Sequence, residues 1–279
     1  MEEKWREIYT EEEIKSIQKI EVESLKVFIK LCKKLEIEFI LYGGTLLGAV
    51  KYQGFVPWDD DLDVALMRKD YDKLIELGPS LLPDKYELQH PLTNKVSPFS
   101  YLKFRRTDTK LVEYSLHKLR MNHGIYFDIY PLDNIPDDDD LMYDQYNDFS
   151  RLAKLFYYRQ VSLGNEPVRT VKDVVKSFVS VCTSIFLRLI PHKYYVSKMY
   201  QVMTRYNDIF TQRQGNYFHS KPVNYFYGIY PLIEVQFEGL TLKIPSGYEG
   251  NLQNRYGDIS KLPPEGERLG HKAYIVEIK

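Results

Sequence analysis

The alternation of apolar and polar positions divides this chain into recognisable elements. Behind Thr10-Glu11-Glu12-Glu13, which suits a capping box, Ile14, Ile17, Leu25, Phe28, Cys32 and Leu35 recur at helical spacing, so a helix packed on a core is predicted. A short apolar run over 37–41 reads as a strand ending at Tyr42-Gly43-Gly44, with Thr45 placed to cap a short helix through Val50. Gly54-Phe55-Val56-Pro57 then leads into an acidic stretch that continues as Leu62, Val64, Ala65, Leu66 and Met67. A second amphipathic helix is predicted over 68–82, and strands over 86–88, 101–104 and 125–129. From Pro136 to about Gly215 the pattern is helical almost throughout. Alternation returns over 233–237 and 240–244 around Glu238-Gly239, a hairpin, and Tyr248, Leu252 and Tyr256 mark one face of a last short helix. This order predicts an α+β fold, a mixed sheet with flanking helices, whose core comes from residues 1–135 and 216–279 with a helical insertion at 136–215.

The apolar run over 174–190 changes that picture least if it is buried. It is broken by Lys176 and Arg188 and carries several hydroxyls, so a spanning helix is not predicted. A helix buried in the fold is the first expectation and docking on a membrane surface the second, because the flanks are basic. A net charge of -1 argues against a general nucleic-acid binder. Cys32 and Cys182 lack metal spacing and read as small buried hydrophobes, and the amino terminus lacks the apolar core of a signal peptide. The expected location is cytoplasmic, peripheral at the inner membrane face if the 174–190 run docks.

The chemistry concentrates in Pro57-Trp58-Asp59-Asp60-Asp61-Leu62-Asp63. Carboxylates this dense repel one another unless a cation sits between them. If the segment is a strand, Asp59, Asp61 and Asp63 share one face, an oxygen site suited to magnesium or manganese. An EF-hand is not supported, since Val64 stands where its sixth-position glycine belongs and Asp70 where its glutamate does. The other acidic run, Asp137 to Asp140, reads as a solvated loop heading a helix. Gly43-Gly44, between a strand and a helix, can offer backbone amides to a phosphate. A later apolar strand carries one acid, Asp128, between Phe127 and Ile129. A glycine turn, an Asp-x-Asp segment and a distant third Asp in this order resemble the nucleotidyltransferase fold of the polymerase β superfamily.

The local words narrow the resemblance. Tyr42-Gly43-Gly44-Thr45-Leu46-Leu47-Gly48-Ala49-Val50 and the run from Gly54 to Asp63 are similar to the signature of the LicD family. So are Phe127-Asp128-Ile129-Tyr130-Pro131-Leu132-Asp133 and, near the end, Pro245-Ser246-Gly247-Tyr248-Glu249, Tyr256-Gly257-Asp258, Leu262-Pro263-Pro264 and Arg268. Relatives often close this last block with two adjacent histidines; here Lys272 follows His271. The family includes bacterial phosphocholine transferases and is related to the fukutin-type phosphotransferases. The resemblance implies transfer of a phospho-alcohol, typically phosphocholine from CDP-choline, onto a hydroxyl of a cell-surface glycan such as a lipopolysaccharide or teichoic acid precursor. On this reading Asp61 and Asp63 hold Mg2+ or Mn2+, Asp128 is the third ligand or the group that takes the acceptor's proton, and Asp59 is a fourth catalytic member.

Gly43, Gly44, Thr45, Lys103, Arg105, Arg268 and His271 are the candidates for the donor phosphates, with Arg106 beside them; an edge strand is the competing account of the basic run. Tyr217, Phe218, Tyr225, Phe226, Tyr227 and Tyr230 offer either an aromatic cage for a quaternary ammonium or ordinary sheet core. His90, His117, His123, His192 and His219 show no ligand spacing. Two other functions remain open: a glycosyltransferase that holds a nucleotide-sugar through Asp-x-Asp, and an inactive scaffold on the same fold.

Overall fold

Thr10 opens the first helix, α1 (Glu11–Leu35), through a complete capping box: its hydroxyl accepts from the Glu13 amide at 3.1 Å, and the Glu13 carboxylate accepts from its own amide at 2.9 Å. The structure is a computed structural model that describes residues 9–161, 171–218, 225–261 and 273–277. After α1 come β1 (Ile40–Leu41), α2 (Gly43–Tyr52), β2 (Asp63–Met67), α3 (Arg68–Leu77), β3 (Tyr86–Gln89), β4 (Leu102–Arg106), β5 (Lys110–Glu113) and β6 (Tyr126–Ile135). The helices α4 (Asp139–Gln160), α5 (Val171–Arg188) and α6 (His192–Met203) follow. The chain ends with β7 (Arg213–Gly215), β8 (Tyr225–Tyr227), the hairpin β9 (Leu232–Phe237) and β10 (Leu240–Pro245), α7 (Tyr248–Tyr256) and β11 (Ala273–Glu277).

The result is an α+β fold on a mixed sheet of order β1-β2-β6-β4-β3. Strands β2 and β6 are parallel, and the other neighbours on this path are antiparallel. The long strand β6 runs past this sheet, so its far half pairs with β7, and β7 with β8. Period-two alternation separates the two faces. On one, Phe104 and Phe127 stack at 4.9 Å and meet Phe28 of α1 edge-on. On the other, Asp63, Asp128 and Lys103 stand directly opposite one another across β2, β6 and β4. The main core includes Phe226, Phe237, Leu242 and Leu252 together with α1 and the first strands, so both ends of the chain share it. The helices after β6 enclose a second core around Phe149, Phe156, Tyr195 and Met199. Asp133 ties the two cores together: it accepts from Arg68 Nε at 2.8 Å and from Asn207 Nδ2 at 2.7 Å.

Several expectations change. The strand begins at Asp63, not at Asp59, because the Asp59 carbonyl is taken by the Gln18 side chain at 2.8 Å instead of by a neighbouring strand. Thr45 does not cap α2, which starts at Gly43; its hydroxyl instead accepts from the Asp63 amide at 2.7 Å. The helix over 68–82 ends at Leu77 and tightens into a 3-10 turn (Gly78–Leu81) at Pro79. The strand over 37–41 shrinks to two residues, and β5, β7, β8 and β11 are additions, of which β7 and β8 are three residues each. The 174–190 run is helical but is not buried: Phe178 and Phe186 on α5 are 69% and 70% exposed.

Candidate active site

The turn into β2 and the start of α2 are pressed together, and two glycines allow it. Gly43 has a φ of +55°, and a Cβ there would lie 2.2 Å from Asp63 Oδ2. At Gly44 a Cβ would lie 2.5 Å from Asp59 Oδ2. The amino end of α2 therefore sits directly on two of the four aspartates, where its dipole and amides favour negative charge. Gly43→Ala adds left-handed backbone strain of about 1–2 kcal/mol to a collision with Asp63. It should lower both the urea midpoint and activity, and more than Gly44→Ala, which needs only the Asp59 carboxylate to swing aside.

The acidic turn splits between two environments. Leu62 and Asp60 are buried, and Asp60 lies against Tyr9, while Asp59 and Asp61 are half-buried and share a hydrogen bond. Burial, then the charge of Asp61 and the hydrogen bond with it, and then Asp63 and Asp60, push Asp59 up to about 9. Across β2 and β6 the next carboxylate is Asp128, whose Oδ1 accepts from Lys103 Nζ at 2.7 Å and whose Oδ2 accepts from the Tyr130 hydroxyl at 3.1 Å. Lys103 is 2% exposed and its ammonium is boxed by aromatic rings, 3.5 Å from the Tyr126 centroid and 4.3 Å from that of Phe99.

Two residues that carry no motif join this cluster. Glu21 of α1 is 1% exposed, and neither of its carboxylate oxygens has a hydrogen-bond partner among the described residues. Burial first, then the charges of Asp61, Asp60, Asp59 and Asp63, push it well above the ordinary glutamate value. The signal was in the sequence: Glu21 interrupts the apolar stripe Ile14, Ile17, Leu25, Phe28. Arg255 of α7 is the other. Its Nη1 comes within 3.4 Å of the point a Gly43 Cβ would occupy, and its guanidinium lies 5.9 Å from the Tyr42 ring centroid. Helical spacing from Tyr248 and Leu252 puts position 255 on the inward face, which is how it could have been found.

The raised carboxylates make stability depend on pH. Glu21 and Asp59 bind a proton more tightly folded than unfolded, so their contribution is complete below the unfolded carboxylate pKa of about 4. It is lost as pH rises toward the Asp59 value of about 9. Urea midpoints of metal-free protein should fall across this window, and magnesium should restore part of the loss. A midpoint that rises with pH over that range would contradict this account.

The remaining candidates are distributed unequally. Arg105, 1% exposed, donates to Gln89 Oε1 at 2.8 Å and to the Gly124 carbonyl at 2.9 Å, and Arg106 pairs with Glu23 and Asp108. Lys103 and Arg105, expected to face a diphosphate, are both buried and engaged by Asp128 and by Gln89 and Gly124 respectively. Arg268 and His271 lie outside the described residues. The aromatic cluster disperses, with Tyr217 and Phe226 in two different cores and Tyr227 and Tyr230 exposed.

Among the described residues no three carboxylate, histidine or cysteine groups form a closed ligand set for one ion. The donor chemistry still fits a hard divalent cation: burial and mutual repulsion hold Glu21 and Asp59 above the ordinary carboxylate range, and positive charge among these acids would relieve that repulsion. Magnesium is commonly gripped by one or two carboxylates plus substrate phosphates, which needs no closed set.

Comparison with known proteins bears on the same residues. A family model described as LicD/FKTN/FKRP, nucleotidyltransferase domain, matches residues 36–157. That span holds the glycine pair, the acidic turn, Lys103 and Asp128, but neither Glu21 nor Arg255. The chain is 25% identical over 273 residues to the lipopolysaccharide cholinephosphotransferase LicD of Haemophilus influenzae, covering 90% of this chain and 94% of that protein. An uncharacterized protein of Rickettsia typhi is 38% identical over 61 residues, 22% of this chain and 20% of its own length. Another, from Rickettsia prowazekii, is 44% identical over 50 residues, 18% of this chain and 19% of its own.

Proposed function

We propose, from the membership of residues 36–157 in the LicD family, that this protein is a phosphotransferase. It moves a phospho-alcohol, with phosphocholine from CDP-choline as the favoured donor, onto a hydroxyl of a cell-surface glycan such as a lipopolysaccharide or teichoic acid precursor, and releases CMP. The fold it uses is nucleotidyltransferase-like. The observation that carries the reading is the convergence of Gly43, Arg255 and Asp63 beside the Asp63–Asp128–Lys103 row. The name of the Haemophilus relative supports the choice of choline.

The chemistry follows from what each group can do. The donor diphosphate belongs at the amino end of α2, where amides and the Arg255 guanidinium meet its charge. Asp61 and Asp63 would hold the cation, with Asp59 alongside. Magnesium or manganese, when bound, supplies neutralisation of the charge that develops on the phosphate oxygens. Asp128 stands next to Asp63, oriented by Lys103 and Tyr130, and takes the proton of the attacking hydroxyl. A bond forms between that oxygen and the phosphorus carrying the alcohol, the bond to the CMP oxygen breaks, and CMP leaves as an anion. Lys103 fixes the carboxylate; it is a positioning residue.

Purified protein should be offered CDP-choline, CDP-ethanolamine, CDP-ribitol and UDP-glucose with a glycan acceptor, and nucleotide release followed for each. CMP release confined to one or more CDP-alcohols is the expected result. UDP release from UDP-glucose alone would replace this reading with the glycosyltransferase.

A further inference from the structure

Helix α5 is built inside out. The side turned toward α4 carries buried Ser180 and Ser184, and the Ser184 hydroxyl donates to the Arg159 carbonyl at 3.2 Å. Ser177, one turn earlier, is half-buried. Outward, Val175, Phe178, Val179, Ile185 and Phe186 are all exposed, and Leu189 just beyond the helix continues the apolar strip. A helix on the surface of a water-soluble domain does the reverse and turns its apolar stripe to the core. Small hydroxyl residues at close-packed contacts with large apolar ones facing out is how helices pack where the surroundings are lipid. A groove lined by Tyr158, Val175, Lys176 and Val179 runs along the same flank.

Charge singles out the occupant. Residues 171–203 carry Lys172, Lys176, Arg188, Lys193 and Lys198 against one acid, Asp173. All five cations are exposed. A second protein copy would bring the same positive strip to face itself, whereas an anionic lipid surface complements it. Length decides the mode of binding. Among the described residues no single helix is long and apolar enough to cross a membrane, and the break between α5 and α6 bends the pair by 84°.

We infer that α5 lies in the plane of an anionic membrane surface, with Phe178, Phe186 and Leu189 in the acyl boundary and the flanking lysines and Arg188 at the lipid phosphates. This inference stands apart from the phosphotransfer reading, since it uses none of the residues of the acidic site. If the phosphotransfer reading also holds, an enzyme at the bilayer would meet a lipid-linked glycan acceptor in two dimensions.

The test is flotation of the full chain with vesicles of phosphatidylcholine alone and of phosphatidylcholine doped with phosphatidylglycerol. Wild-type protein should float with the anionic vesicles and partly release at high salt. The variant Phe178→Glu/Phe186→Glu should bind roughly tenfold more weakly or worse while keeping its circular dichroism and its release of CMP from CDP-choline in the presence of a soluble acceptor. The inference is overturned if the variant floats as well as wild type, or if wild type ignores anionic vesicles. It is equally overturned if sedimentation shows a wild-type dimer that the variant converts to monomer without any vesicle binding.

Discussion

Asp63→Asn protein should fold as well as the wild type and have lost transfer activity by roughly a hundred- to a thousand-fold, as happens when one main electrostatic partner of a transition state is removed. Asp61→Asn should behave alike. The two halves of this expectation have separate causes. Activity falls because an amide cannot supply the negative oxygen that a hard cation requires. Stability does not fall, because each substitution removes one negative charge from a cluster whose members raise one another: Asp61 and Asp63 both push Asp59 and Glu21 upward. The Thr45 hydroxyl still receives the backbone amide of residue 63, so the turn keeps its anchor. Nucleotide release and the urea midpoint, measured on the same preparation, check both halves. Near-wild-type turnover by either variant would remove these aspartates from the catalytic machinery. Lost activity with a collapsed midpoint would make them structural.

The second large effect is on stability. Lys103 and Asp128 form an ion pair whose side chains are 2% and 7% exposed. Lys103→Met leaves the buried Asp128 carboxylate with the Tyr130 and Tyr101 hydroxyls but without its cationic partner, and should cost about 3–5 kcal/mol. Removing both charges in Lys103→Met/Asp128→Leu should recover most of that loss, because well-packed apolar replacements of a buried pair are close to neutral. Urea denaturation of the two variants decides it. If the double variant is no more stable than the single one, the ammonium contributes mainly through the rings of Tyr126 and Phe99 and not through Asp128.

Much of the site is local and therefore legible. Gly43 and Gly44 stand where a Cβ would meet a carboxylate oxygen, and at Gly43 the positive φ favours glycine as well. The capping box of α1 and the hairpin about Glu238-Gly239 depend on neighbours within a few residues, and both form as the pattern predicts. Glu21, Arg255 and the engagement of Lys103 depend on contacts far along the chain. A glutamate in an apolar stripe and an arginine on a short helix carry no motif, so they acquire meaning only when α1 and α7 close over the acidic turn. Thr45 shows the same limit: its place before a helix suggested a cap, yet the nearest orphan amide in space belongs to Asp63.

By itself the sequence determined the secondary elements with strong periodicity, the α+β class, the acidic turn and the glycine pair, because these follow from spacing along the backbone. Tertiary structure decided which groups share a volume. It set Asp63, Asp128 and Lys103 in one row through strand register, brought Glu21 and Arg255 to them, and turned the apolar side of α5 outward. Periodicity states that a helix has an apolar side, but the direction of that side is settled only by what packs against the opposite one; here α4 took the serines.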